Sequence, residues 1–115
     1  MKPQGLAPHA QQNLFGGQGT VLVYDLLRSQ SMPPFDAVLA CELEAGGTVG
    51  THVQQVSHEI VVITAGEGTA EVDGVSQSLC PGSLVYLAHG QQLSLENTSK
   101  ENVLCYLIVK AQSSK

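Results

Sequence analysis

From Thr20 onward, short β-branched or aromatic runs alternate with brief clusters of turn-forming residues. Residues 20–27 read Thr-Val-Leu-Val-Tyr-Asp-Leu-Leu, which suits a pleated, half-buried surface and predicts a first strand. Pro33 and Pro34 stiffen the next loop, and residues 36–45 predict a second strand ending in the alternation Cys41-Glu42-Leu43-Glu44. Residues 46–57 read as a short strand with irregular flanks, and residues 59–65 as the most apolar strand of the chain. Asp73-Gly74 predicts a hairpin between strands at 69–72 and 75–79, because a two-residue primed turn needs positive φ at both centres. Pro81-Gly82 turns the chain into a strand at 83–88, followed by strands at 93–97 and 103–110.

Eight or more short strands at intervals of roughly ten residues, with no helical periodicity between them, predict an all-β antiparallel barrel or jelly roll. The immunoglobulin arrangement is less suited, since there is no tryptophan and no matching cysteine pair. Residues 1–19 are rich in Gln, Gly, Pro and Ala, and are expected to form an irregular arm, ordered only where Leu14 and Phe15 find apolar cover. The barrel domain is expected to cover residues 20–111, with a polar tail at 112–115.

Composition narrows the function classes. The 115 residues allow one domain and one core, and 43 % apolar against 13 % charged residues excludes a disordered chain. The net charge is −5, and Arg28 and Lys100 are the only bases between Lys2 and Lys110. No basic patch exists for nucleic acid or an anionic membrane surface. Cys41, Cys80 and Cys105 are widely spaced and odd in number, so they read as reduced thiols rather than a disulfide framework. Without a signal-peptide run or a stretch of transmembrane length, the expectation is a cytoplasmic protein.

The candidate chemistry sits in residues 46–66, where His52, Gln54, His58 and Glu59 precede the apolar run. Ionisable side chains at the start of a buried strand are costly to desolvate, so they need a partner or a task. By strand parity Val61 and Ile63 share the face of Glu59, and Leu93 and Leu95 share that of Asn97. An apolar wall with a few convergent polar groups is typical of a small-molecule pocket and equally of a barrel core with one polar cluster. Strand tyrosines Tyr24, Tyr86 and Tyr106 read as packing residues, and Cys105 as an apolar filler. Glu42 and Glu44 share one face and read as solvated.

Spacing then points to a family. Gly46 is followed after five residues by His52-Val53-Gln54, after four more by Glu59, and after six more by Gly66. Gly82 is followed after five residues by Ala88-His89-Gly90, with Leu93 and Asn97 beyond. These two stretches resemble the paired motifs of the cupins, with Gln54 and Leu93 where the family carries histidines and Ala88 where it carries proline. The resemblance implies a double-stranded β-helix, or jelly-roll barrel, often dimeric. It also implies a divalent metal (manganese, iron, nickel or zinc) at the positions of His52, Gln54, Glu59 and Leu93. Leucine cannot ligate and a glutamine carbonyl ligates weakly, so metal is expected to be absent or weakly held, with His58 or His89 as candidate substitutes.

Three functions remain open on this reading. The first is a barrel binding a small polar metabolite through His52, Gln54, Glu59, Val61, Ile63, Leu93 and Asn97. The second is a metal-dependent dioxygenase or isomerase, or a metal-free enzyme using Glu59 or His52 as general base. The third is a dimeric interaction module, with Phe15 and Val62 buried at a two-fold interface.

Overall fold

The computed structural model describes residues 2–112. Among these residues ten strands form two antiparallel sheets. The larger has the order β1 (His9–Gln12), β2 (Thr20–Asp25), β3 (Phe35–Leu43), β10 (Leu104–Gln112), β5 (Ser57–Ala65), β8 (Leu84–Leu87). The smaller has the order β4 (Thr48–Val53), β9 (Gln92–Asn97), β6 (Gly68–Val72), β7 (Val75–Leu79). Packed face to face, they make the jelly-roll barrel that the strand spacing predicts. No described helix is long and apolar enough to cross a membrane.

Alternation along β5 shows how the sequence sets the wall. Ser57, Glu59, Val61 and Ile63 are buried, while His58, Ile60 and Val62 are only half-buried. Val61 and Ile63 join Leu43, Val85, Leu87 and Leu104 in the core between the sheets. The β6–β7 hairpin closes on Asp73 and Gly74 at φ 49° and 81°, the left-handed pair such a turn requires.

Two expectations are corrected. The arm at 1–19 is not irregular throughout: β1 pairs with β2 from His9↔Val23 to Gln12↔Thr20, and a 3-10 turn follows at Leu14–Gly16. Its side chains are exposed, so backbone pairing rather than a hydrophobic pattern holds it. Glu42 is not solvated but 7 % exposed. Glu44 is exposed, and its carboxylate accepts the Thr20 backbone N–H. The expected polar tail lies outside the described residues from position 113.

On its outer face the larger sheet aligns apolar residues in cross-strand rows. One row runs Tyr86, Ile60, Val109, Val38, and the next Leu84, Val62, Leu107, Ala40, Tyr24. Neighbouring strands lie about 4.8 Å apart, so the rows are contiguous, but Ala40 and Tyr24 are buried and the open apolar surface ends at Val38 and Leu107.

Candidate functional site

The barrel encloses a cavity of about 280 Å³. Val21, Val23, Leu39, Val49, Leu93, Leu95 and Ile108 supply its apolar wall. His52, Glu59, Cys41, Tyr106, Lys110 and the exposed Gln11 supply its polar groups.

His52 reaches the interior through an irregularity in β4. Val49 pairs with Leu95 and His52 with Leu93, with a register shift between them. Residues three apart on a regular strand face opposite ways, and the bulge brings both to the cavity. The His52 Nδ1 lies 3.1 Å from the Gly50 carbonyl oxygen and donates to it, leaving Nε2 as the acceptor of the neutral ring. The ring stacks on Phe15, with centroids 4.1 Å apart and planes at 14°. Gly50 permits this seat, since a Cβ there would lie 1.9 Å from the Phe15 carbonyl oxygen.

Glu59 sits at 3 % exposure and accepts a 2.7 Å hydrogen bond at Oε1 from the Gln54 amide nitrogen. Gln54 Oε1 in turn accepts the backbone N–H groups of Val56 and Ser57, at 3.3 and 3.1 Å. Gln54 is therefore a bracket that fixes Glu59 and shapes the loop between β4 and β5. Lys110, on the inward face of β10, is the cross-strand neighbour of Glu59. Their charges act on the interior: burial, reinforced by the Glu59 carboxylate and opposed by Lys110, pushes the Cys41 thiol up from 9.0 to about 12. Burial, then the neighbouring Cys41 and Glu59, pushes the Tyr106 hydroxyl well above the usual tyrosine range.

Of the residues expected from sequence, His52, Glu59 and Leu93 come together on the cavity, and Gln54 stands behind Glu59. Val61 and Ile63 are core residues outside the lining. Asn97 is structural: at 1 % exposure its Nδ2 donates to the carbonyls of Leu43, Glu44 and Asn102, and its Oδ1 accepts the Ser99 N–H. His58 and His89 lie outside the barrel. His58 Nδ1 accepts the His89 backbone N–H and lies 3.3 Å from the Tyr86 hydroxyl oxygen, while His89 Nε2 donates to the Gln55 carbonyl. Sequence reasoning missed Lys110, Tyr106 and Cys41 as pocket residues. The inward parity of Tyr106, Ile108 and Lys110 was the available signal.

The donor set does not fit the implied divalent metal. Among the described residues no three His, Cys, Asp or Glu side chains gather to hold one. The oxygen Gln54 would offer is committed to two backbone N–H groups, and Leu93 has none to offer. His58 and His89 do not substitute, because strand parity turns His58 away from Glu59.

Comparison with known proteins matches residues 39–109 to the cupin domain family. The chain belongs to the cupins. An oxalate-binding protein of Thermotoga maritima is 28 % identical over 99 residues, covering 85 % of this chain and 82 % of its own. A crystal structure described as a predicted oxalate decarboxylase, also from Thermotoga maritima, superposes with TM-score 0.90 at 26 % identity over 97 % of both chains. A cupin-2 domain protein of Rhodospirillum rubrum superposes with TM-score 0.79 at 20 % identity, over all of this chain and 76 % of its own, a likeness of fold alone.

Proposed function

We propose that this cupin binds a small polar metabolite of the carboxylic acid class inside its barrel, without a resident metal. The observation that carries this reading is the cavity itself, where Lys110 and Tyr106 face an apolar wall beside Glu59. Its volume of about 280 Å³ lies at the lower edge of the range of roughly 300–1,000 Å³ that accommodates drug-sized ligands, so the ligand is smaller. The oxalate-binding relative supports the acid class. Lys110 supplies the positive charge that an acid needs where no metal supplies it.

The test is a thermal-shift titration with small mono- and dicarboxylates in chelator-treated buffer. Binding to the native state alone stabilises by about 2.7 kcal/mol at a hundredfold excess over Kd, so an acid that binds raises the melting temperature by several degrees. Val23→Phe, which fills the cavity, abolishes the shift. A panel in which no acid shifts the wild type would overturn the reading, as would a shift that appears only when metal is restored.

The same chain self-associates, on this reading, as a homodimer through the outer face of the larger sheet. The contiguous rows from Tyr86 to Val38 and from Leu84 to Leu107 support it, with Tyr86 and Leu84 more than half exposed. Contiguous apolar surface on a soluble domain marks an interaction site. Phe15 does not belong to this patch, because it stacks on His52 at the cavity.

A further inference from the structure

Resting on the interior-acid reading, the unmet hydrogen-bonding capacity of the cavity sorts one acid from another. Tyr106 is 3 % exposed and lines the cavity, and its hydroxyl has no hydrogen bond among the described residues. No fully enclosed side-chain oxygen or nitrogen among those residues is left without a partner. The Tyr106 hydroxyl must therefore open onto the cavity rather than be sealed in the wall. The same holds for Glu59: Oε1 is taken by Gln54, and Oε2 has no donor. Lys110, facing it across the strands, forms no ion pair with it within contact distance among the described residues. Two deeply buried polar side chains thus present one hydroxyl donor and one carboxylate acceptor to the same small space.

These groups specify complementary chemistry. Lys110 offers only donors, and Tyr106 offers a donor to an anion because its proton is firmly held. Glu59 as a carboxylate offers only acceptors, and Oε2 is the oxygen that Gln54 leaves open. Cross-strand partners start roughly 5 Å apart, so a carboxylate held by Lys110 lies alongside Glu59. The atom next to that carboxylate must carry a hydrogen to donate. A second carboxylate in its place would set two negative charges together against a largely apolar wall, where like charges repel more strongly than in water.

We infer that the cavity selects a 2-hydroxy acid monoanion, whose carboxylate meets Lys110 and Tyr106 and whose hydroxyl donates to Glu59, over a fully ionised dicarboxylate. Acetate lacks the hydroxyl and leaves Glu59 Oε2 unmet. Oxalate at neutral pH lacks the proton and opposes Glu59. Buried polar groups left unpaired are what make such discrimination large.

The experiment is calorimetric titration of the intact protein at pH 7 with the sodium salts of glycolate, acetate and oxalate. The expected order places glycolate at least about tenfold tighter than either of the others, within the reach of polar-group discrimination. In Glu59→Gln, checked for folding by its melting curve, the repulsion is gone and the preference of glycolate over oxalate collapses. Lys110→Met loses all three acids. Oxalate binding as tightly as glycolate in the wild type overturns the inference while leaving the interior-acid reading intact. Acetate equal to glycolate does the same, because Glu59 then reads no hydroxyl. Binding of none of the three, with other acids of the wider panel also silent, overturns both.

Discussion

Replacing Asn97 with alanine removes a knot that ties three segments of the barrel together. The Asn97 side-chain nitrogen donates to Leu43 O and Glu44 O at 3.1 Å and to Asn102 O at 2.8 Å, and its oxygen accepts the Ser99 N–H at 2.9 Å. Two N–H groups shared among three carbonyls, plus one accepted bond, amount to about three hydrogen bonds, each contributing on the order of 1 kcal/mol net. Asn97 is 1 % exposed, so the bereaved groups near it gain little water, and the orphaning penalty adds a further 1–2 kcal/mol or so. Asn97→Ala is therefore expected to lose about 4 kcal/mol, a large share of the ~5–15 kcal/mol typical of a domain. That corresponds to a fall of roughly 10–20 °C in Tm. Urea unfolding followed by circular dichroism, with m unchanged, measures it. Asn97→Asp, which replaces the donor by an acceptor facing three carbonyls, costs at least as much. A loss below about 1 kcal/mol for Asn97→Ala would refute the reasoning, because the network would then be worth no more than a surface contact.

Gly50→Ala forces a methyl group into the Phe15 carbonyl, lifting the 3-10 turn from β4. It is expected to weaken acid binding and to raise proteolytic cleavage within residues 2–19, both read against wild type. Stability should also fall in alkali. Below pH 9 the Cys41 thiol is protonated folded and unfolded, but between 9 and 12 only the unfolded chain releases the proton. Stability therefore drops as pH rises through that window, by up to about 1.4 kcal/mol per unit from this group, and the raised Tyr106 hydroxyl acts in the same sense. Denaturant titrations at pH 8 to 11 should show this slope, and Cys41→Ala should flatten it. Val62→Glu puts a charge at the centre of the outer apolar rows and is expected to turn a dimer into a monomer in sedimentation velocity, with acid binding retained. A wild type that sediments as a monomer at micromolar concentration refutes that interface.

Much of the barrel was legible because its signals are local. Alternation placed Glu59, Val61 and Ile63 on one buried face, and Asp73-Gly74 fixed a hairpin whose positive φ values few other pairs adopt. Strand β1 was not legible, since His-Ala-Gln-Gln has neither alternation nor β-branching and exists as a strand only because β2 offers a free edge. The site was legible in part. Motif spacing located His52 and Glu59, but spacing does not separate a ligand contact from a structural tie, and Asn97 proved to be the latter. Nor does it show that Gln54 would turn its oxygen to the loop backbone. Lys110 escaped notice because a lysine ending an apolar strand looks like a solvated terminus. Only the pairing Glu59↔Lys110 brings it opposite a buried carboxylate.

A two-dimensional 15N–1H NMR titration of the metal-free protein with sodium glycolate reads the interior acid site residue by residue. The expected result is saturable shifts centred on the backbone amides of Glu59, Tyr106, Lys110 and His52, abolished in Lys110→Met. Shifts confined to the outer face around His58 and Tyr86, or none at millimolar ligand, would contradict a 2-hydroxy acid site in the interior.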